Sequence, residues 1–166
     1  RWIVRRIGEH AVEADYRPSL HFDCYGTIGR AFGLDMREMT DYLLRLEEAV
    51  SPLSLQIEAP VEMGSQTDQI EALGRLRESL AEKGSRVALI ADEWCNTLED
   101  VGRFARAGAA DMIQVKMPDL GSIAESARAV LECHRNGVAA YLGGSCNETD
   151  LNARNAVHVA LATGAD

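Results

Sequence analysis

Five short apolar runs alternate along the chain with longer stretches in which apolar residues recur every three or four positions. The short runs are bounded by Gly, Pro or Ser and suit strands buried on both faces. They cover residues 19–26, 53–60, 86–93, 111–118 and 137–144. The longer stretches predict helices over residues 36–50, 66–83, 98–107, 122–136 and 150–163. Strict alternation of strand and helix predicts parallel strands joined by right-handed crossovers.

Local signals support these boundaries. Thr97 and Asp100 have the spacing of a capping box, in which two side chains satisfy amides that the first helical turn leaves open. Gly84, Gly108 and Gly137 stand where helices should end, because glycine tolerates the left-handed conformation there. Five such units fit either a doubly wound sheet or part of a (β/α)8 barrel. No G-x-G-x-x-G follows a strand, which weakens the dinucleotide-binding version of the first fold.

Composition narrows the class of protein. The 166 residues contain 46% hydrophobic residues, enough for a core, and carry a formal net charge of -9. That charge disfavours nucleic acid or an anionic membrane as a partner, since both demand clustered basic residues. No apolar run approaches the roughly 18 residues of a membrane span. The four cysteines form no C-x-x-C pair, so we expect reduced thiols in a cytoplasmic protein.

Charged residues stand at the ends of four successive predicted strands: Asp23, Glu58, Asp92 and Lys116. Parallel α/β sheets and barrels place their chemistry at the carboxyl ends of strands. Three carboxylates that converge there need a cation, and hard oxygen ligands suit Mg²⁺ or Mn²⁺. A neutral lysine beside the metal would be a competent base. The alternatives are helix N-caps or solvated loop residues for the carboxylates, and a lysine that extends to solvent.

Two other features carry weaker signals. His21 shares a strand face with Asp23, and we expect it to bond a neighbouring group rather than a metal. In YLGGSCNETD, residues 141–150, a strand ends in two glycines before Ser145, Cys146 and Asn147 lead into a helix. Backbone amides in such a segment can cradle an anion. A tight turn with an ordinary N-cap explains the same letters.

The strings HFDCYGTIG, IEAP, ADEWCNT, QVKMPDLG and YLGGSCNETD, in this order and spacing, closely resemble the methylaspartate ammonia-lyase family of the enolase superfamily. The resemblance runs from about Arg17 to Ala162, and ADEWCNT and GGSCNETD are specific to this family. It implies a partial (β/α)8 TIM-type barrel comprising about strands 3 to 7, all parallel. Residues 1 to about 14 would then form the preceding helix.

The resemblance also implies an activity and its residues. Family members convert L-threo-3-methylaspartate to mesaconate and ammonia in glutamate degradation, using Mg²⁺ with K⁺ as activator. The metal ligands of the family match Asp23, Glu58 and Asp92, and the lysine that removes the C3 proton matches Lys116. Substrate contacts match Gln114, Ser145 and Cys146. A small amino-acid substrate and a homodimer are implied as well.

By the same resemblance, residues 1–166 form an incomplete C-terminal catalytic barrel domain. The N-terminal capping domain, the first barrel strands and the last strand of the family are not represented. We therefore expect the isolated chain to be poorly stable and inactive, because an open barrel exposes two strand edges. Two alternatives stay open: another enolase-superfamily dehydratase or racemase, and a barrel-derived binding module without catalysis.

Overall fold

The computed structural model describes residues 1–11, 16–146 and 148–166, and the strands and helices alternate as the sequence predicts. The strands are β1 (Ser19–Asp23), β2 (Ser54–Glu58), β3 (Ala88–Ala91), β4 (Met112–Lys116) and β5 (Ala139–Gly143). The helices are α1 (Trp2–His10), α2 (Thr27–Ala31), α3 (Met36–Val50), α4 (Gln66–Glu82), α5 (Leu98–Ala107), α6 (Met117–Leu120), α7 (Ile123–Arg135) and α8 (Asp150–Thr163).

The sheet distinguishes the two folds that the pattern allowed. All pairings are parallel, and the strands lie in the order β1-β2-β3-β4-β5. A doubly wound sheet reverses its strand order at a switch point, whereas a barrel adds each strand beside the last. The sequential order confirms the predicted partial (β/α)8 barrel.

The hydrophobic core lies between the sheet and the helices that follow its strands. One face of the strands supplies Leu55, Ile57, Leu89, Ile113 and Val115, each at most 2% exposed. The helices cover this face with the buried side chains of Leu43, Leu73, Leu76, Phe104 and Val130. Because successive strand residues alternate between faces, Gln56, Glu58, Gln114 and Lys116 point to the opposite face, which is the lumen of the half-barrel.

The helix ends follow the local signals. Thr97 and Asp100 form the predicted capping box, with the Thr97 side chain accepting from the Asp100 backbone N–H. Gly84, Gly108 and Gly137 have φ angles of 70°, 60° and 70°, the left-handed conformation expected at these ends. Among the described helices, none is long and apolar enough to cross a membrane.

Two elements differ from the prediction. Pro118 does end the β4 run, but the chain enters the short helix α6, in which a proline early in the first turn needs no N–H partner. Helix α2 has only five residues, too few to show a helical period. The predicted N-terminal helix is confirmed through His10, and residues 12–15 lie outside the described part of the chain.

Two aspartates bind the backbone of strands near the amino ends of those strands. Asp111 exchanges two hydrogen bonds with the backbone of Leu89 on the neighbouring strand, and its Oδ1 accepts from Arg77 Nε at 2.7 Å. Asp166 makes the same pair of bonds with Ala140, and His134 takes the place of the arginine. The contact that Asp111 makes with β3 is thus repeated by Asp166 on β5, two strands further along the sheet.

Candidate active site

The predicted site residues lie at the carboxyl end of the sheet. Asp23 and Glu58 are direct partners in the β1–β2 register, and Asp92 follows the last residue of β3. Lys116 is the last residue of β4 and pairs with Gly143. Four consecutive strands therefore deliver their charged residues to one edge of the half-barrel, on or beside its lumen.

Lys116 pairs with Asp92 in a buried contact. Lys116 Nζ lies 2.7 Å from Asp92 Oδ1, and the two side chains are 11% and 10% exposed. Asp119, on α6, adds a longer contact of 3.6 Å. Burial by itself would lower the pKa of Lys116, but the carboxylates of Asp92, Asp119 and Glu93 outweigh it and raise the pKa above its ordinary value. The lysine is therefore an ammonium in this arrangement.

Glu58 is 2% exposed and accepts two hydrogen bonds on one oxygen atom. His21 Nε2 and the Tyr141 hydroxyl each lie 2.5 Å from Glu58 Oε2. Desolvation raises the pKa of the Glu58 carboxyl; the two hydrogen bonds oppose this rise, and the charges of Asp92 and Asp23 add to it. His21 thus bonds a neighbouring group, as expected from the sequence.

Tyr141 was not predicted as a site residue, although it shares a face with Gly143. Burial raises the pKa of its phenol, and the adjacent Glu58 carboxylate raises it further. A neutral hydroxyl that donates to Glu58 is the result. The sequence signal for Tyr141 was the alternation of strand residues between the two faces, which puts it on the same face as Gly143. In the structure Tyr141 lies on the lumen side, beside Gln114 in the β4–β5 register.

Strained backbone follows each of the three carboxylates. Tyr25, Ala59 and Trp94 have φ angles of 46°, 44° and 66°, a region that costs non-glycine residues about 1–3 kcal/mol each. They come two, one and two residues after Asp23, Glu58 and Asp92 respectively. Such strain persists only where surrounding contacts impose it, and it is concentrated at functional sites.

Hydrogen bonds join the three loops in which these residues lie. Arg30 donates to the Tyr25 carbonyl at 2.5 Å and pairs with Glu62, which joins the loops after β1 and β2. The Trp94 indole N–H donates to the Met63 carbonyl at 3.2 Å, which joins the loops after β2 and β3. The buried Gln69 side chain holds the middle loop, accepting from Met63 N–H and donating to Val61.

Gln114 has a buried amide with an unused acceptor. Its side-chain oxygen is buried and, among the described residues, accepts no hydrogen bond, an arrangement that costs free energy unless a ligand supplies a donor. Gly143 makes room for this amide. A Cβ atom at position 143 would lie 2.3 Å from Gln114 Nε2, closer than atoms can approach.

Ser145 and Cys146 lie in the loop between β5 and α8. The Ser145 backbone N–H donates to Glu148 Oε1 over 3.4 Å, and Cys146 is exposed. Asn147, the third residue of the predicted anion cradle, lies outside the described residues. The helix that follows begins with Thr149 as its N-cap, accepting from Asn152. The loop therefore stands beside Gln114 through Gly143, and its role in ligand binding remains a prediction.

The three carboxylates have the oxygen chemistry that suits a hard divalent cation, but their side chains are turned to other partners. Their oxygens are the donors that Mg²⁺ prefers, and Asp92 Oδ1 is already engaged by Lys116 Nζ at 2.7 Å. Within the described part of the chain, no three Asp, Glu, His or Cys side chains converge closely enough to hold a metal ion. Glu58 instead faces His21 and Tyr141, so metal binding would require side-chain rotation.

Known proteins resemble the chain along its whole length. A family model described as methylaspartate ammonia-lyase C-terminus matches residues 1–166. Methylaspartate ammonia-lyase 1 of Carboxydothermus hydrogenoformans is 51% identical over 166 residues, which are 98% of this chain and 39% of that protein. The chain thus spans about two fifths of the length of this relative.

Two solved structures share the fold closely. The Mg complex of β-methylaspartase from Clostridium tetanomorphum superposes with a TM-score of 0.94 at 44% identity, covering 99% of this chain and 40% of that one. Methylaspartate ammonia lyase of Citrobacter amalonaticus containing (2S,3S)-3-methylaspartic acid gives the same TM-score, identity and coverage. Because the family model matches residues 1–166, the chain belongs to the methylaspartate ammonia-lyase family and corresponds to the C-terminal region of its members.

Proposed function

We propose that the protein represented by this chain is an ammonia-lyase that converts L-threo-3-methylaspartate to mesaconate and ammonia. Membership of the family supports this reaction, as do relatives whose structures contain Mg or 3-methylaspartic acid. The observation that carries the proposal is the position of Lys116. Its buried amine lies at the same strand ends as the three carboxylates, within 2.7 Å of one of them.

The residues take distinct roles in this proposal. Lys116 is the base, and Gln114, Ser145 and Cys146 contact the substrate. The proposed metal ligands are Asp23, Glu58 and Asp92. They would hold Mg²⁺, with Mn²⁺ as an alternative ion and K⁺ as an activator. We place the reaction in glutamate degradation, in the cytoplasm, carried out by a homodimer.

The first requirement is a neutral Lys116. In the present arrangement the carboxylates around it raise its pKa, so the contact with Asp92 must open before the amine can accept a proton. Burial then works in the opposite direction, because a desolvated amine without a carboxylate partner has a lowered pKa. Rotation of the Asp92 side chain away from Lys116 would remove the strongest of the contacts that raise the pKa of Lys116, leaving the weaker influence of Asp119 and Glu93.

The reaction itself is a proton transfer followed by loss of ammonia. Lys116 removes the proton from C3, the C–N bond at C2 breaks, and the electron pair left at C3 forms the double bond of mesaconate. A proton on carbon beside a carboxylate is very weakly acidic, so the charge that develops must be stabilised. A divalent ion held by the carboxylates would supply Lewis-acid stabilisation of the substrate carboxylate. General-base catalysis contributes roughly 10²- to 10⁴-fold.

The buried amide of Gln114 suits substrate orientation. Its unsatisfied oxygen is an acceptor for an ammonium or amine N–H group. A substrate amine bound there would relieve the cost of the buried acceptor and fix C3 relative to Lys116 on the same strand. Ser145 and Cys146 would contact the substrate from the loop that follows β5.

We also propose that residues 1–166 are an incomplete C-terminal barrel domain that is inactive alone. The described sheet ends in β1 and β5, whose outer edges have no strand partners within the described residues. Unpaired edges and an open lumen expose backbone and apolar groups to water. Steady deamination of 3-methylaspartate by the purified 166-residue chain would contradict this.

The test is a substrate comparison on the full-length protein. Purified protein with Mg²⁺ is given 3-methylaspartate or a sugar acid, and the conjugated product is followed by its ultraviolet absorbance. We expect mesaconate from the first substrate and no turnover of the second. Turnover of the sugar acid would identify another enolase-superfamily enzyme. Absence of both turnover and Mg²⁺ binding would favour a barrel-derived binding module.

A further inference from the structure

Glu148 ties the loop between β5 and α8 back on itself. Its Oε1 accepts the Ser145 N–H at 3.4 Å, and its own N–H donates to the Ser145 carbonyl at 3.2 Å. Two hydrogen bonds therefore join the same two residues, one through the side chain of Glu148 and one through its backbone. Cys146 lies between them in the chain, so the two bonds close the loop around Ser145 and Cys146.

Gly144 provides the space in which the Glu148 side chain lies. A Cβ atom at position 144 would come 2.8 Å from Glu148 Cγ and 3.5 Å from its Oε1, and the first of these distances is too short for carbon atoms. The two successive glycines therefore serve different side chains. Gly143 makes room for Gln114, and Gly144 makes room for Glu148.

The carboxylate of Glu148 uses only one of its oxygen atoms in these contacts. The other oxygen, Oε2, is buried and has no hydrogen-bond partner within the described part of the chain. An unpaired buried oxygen of a carboxylate is unfavourable, so the contacts exploit an acceptor atom rather than a negative charge. What Glu148 supplies to the loop is thus a fixed shape.

We propose that Glu148 is a positioning residue that holds Ser145 and Cys146 where they contact the substrate. This inference rests on the proposed function, which assigns those two residues as substrate contacts. A loop that moves freely must be ordered when substrate binds, whereas a loop already closed by Glu148 has lost that freedom beforehand. Because the same contacts serve the bound substrate and the transition state, loss of Glu148 raises KM more than it lowers kcat.

Two replacements separate the acceptor atom from the charge. Glu148→Ala removes the acceptor, whereas Glu148→Gln keeps an oxygen at the same reach and removes the charge. With the full-length protein, 3-methylaspartate and constant Mg²⁺ and K⁺, we expect Glu148→Ala to raise KM about 10- to 100-fold, because misplacing a contact by about 1 Å can cost about 100-fold. Glu148→Gln should stay within about 3-fold of the parent KM, since it retains a neutral hydrogen bond.

The matched control is Asp150→Asn. Asp150 is an exposed acidic residue in the first turn of α8, two positions after Glu148. Its replacement removes one negative charge beside the loop and none of the contacts to Ser145. The KM of this variant should equal that of the parent.

Gly144→Ala tests the same side chain from the other direction. Its methyl group displaces Glu148, so KM should rise about 3- to 10-fold, as expected for the loss of roughly one hydrogen bond. In the Glu148→Ala background no side chain is left to displace, and Gly144→Ala should then change KM by less than about 2-fold. Fully additive effects of the two substitutions would contradict the inference.

The remaining outcomes separate this inference from the proposed function. Parent KM in Glu148→Ala, with only the Tm lowered, would overturn the inference while the proposed function stands. Glu148→Gln as weak as Glu148→Ala would also overturn it, because the charge would then matter rather than the acceptor. If Glu148→Ala does not fold, parent KM in Gly144→Ala overturns the inference instead. A parent protein that does not turn over 3-methylaspartate would refute the proposed function, and the inference with it.

Discussion

Lys116 Nζ lies 2.7 Å from Oδ1 of Asp92, in a pair that is almost fully buried. The same contact that stabilises the lysine as an ammonium prevents it from acting as a base. The Lys116–Asp92 pair must therefore open before Lys116 can take the base role proposed for it.

Removal of the Lys116 amine should abolish turnover without unfolding the protein. In the full-length protein, we expect Lys116→Ala to lower kcat for L-threo-3-methylaspartate by roughly 10²- to 10⁴-fold, the usual contribution of a general base. Lys83→Ala is the matched control, because Lys83 is the other lysine of the chain and is exposed. Steady-state kinetics with both variants, and circular dichroism for folding, check this. Near-parent kcat in Lys116→Ala would contradict the assignment.

Neutralisation of Glu58 should remove the response to metal. We expect the Tm of the full-length parent to rise with Mg²⁺. The free energy of unfolding should increase by about 1.4 kcal/mol for each tenfold increase in Mg²⁺ concentration above Kd. Glu58→Gln should lose this rise. Without Mg²⁺ its Tm should equal or exceed that of the parent, because burial makes the ionised Glu58 carboxylate unfavourable and raises its pKa.

The control for Glu58→Gln is Glu62→Gln. Glu62 lies in the loop after β2 and pairs with Arg30 at the surface, 2.9 Å away. Its replacement removes one negative charge close to the site but none of the proposed ligands. An unchanged Mg²⁺-dependent Tm in Glu58→Gln, or its loss in Glu62→Gln, would contradict the ligand assignment.

A single methyl group at position 143 should disturb Gln114. Gly143→Ala places a Cβ 2.3 Å from Gln114 Nε2, so the amide must move. We expect KM for 3-methylaspartate to rise about 3- to 10-fold, corresponding to the loss of roughly one hydrogen bond of about 1 kcal/mol. Gly74→Ala, in the middle of α4 with open space around its Cβ position, should leave KM unchanged. Equal KM values for both variants would refute the role of Gly143.

Alkaline pH should destabilise the fold through a buried thiol. Burial raises the pKa of Cys133 from 9.0 to about 12, and the thiol is 0% exposed. Between these values the folded state holds the proton and the unfolded state releases it, so the free energy of unfolding falls as pH rises. The slope approaches about 1.4 kcal/mol per pH unit.

Denaturant unfolding from pH 8 upwards checks this dependence. Cys133→Ala should lower the slope without abolishing it, because burial also raises the pKa of Cys24 to about 11 and that of Cys95 well above its ordinary value. The stability of Cys133→Ala at pH 8 should be lower because the substitution leaves a cavity. Cys146→Ala, at an exposed position, is the comparison variant. The opposite ranking of the two slopes would show that burial does not control the Cys133 thiol.

Much of the fold could be read from local pattern. Helix α3 and helix α5 begin and end at the predicted residues, because apolar spacing and caps such as Thr97 and Gly108 act within a few positions of the chain. The strand parity of Gln114 and Lys116 was also correct, since alternation is a property of every extended strand. Helices α2 and α6 were missed because segments of four or five residues are too short for a period to show.

The sequence alone determined which strands end in carboxylates and which one ends in lysine, and it was sufficient for the family resemblance. These properties follow from residue order and from the twofold and 3.6-fold periods of local structure. Only the tertiary structure decided which side chains meet: that Lys116 faces Asp92, and that His21 and Tyr141, 120 positions apart by their numbers, donate to the same oxygen of Glu58. Contacts of this kind depend on the curvature of the sheet and on competition among buried charges for partners, neither of which any short window of sequence contains.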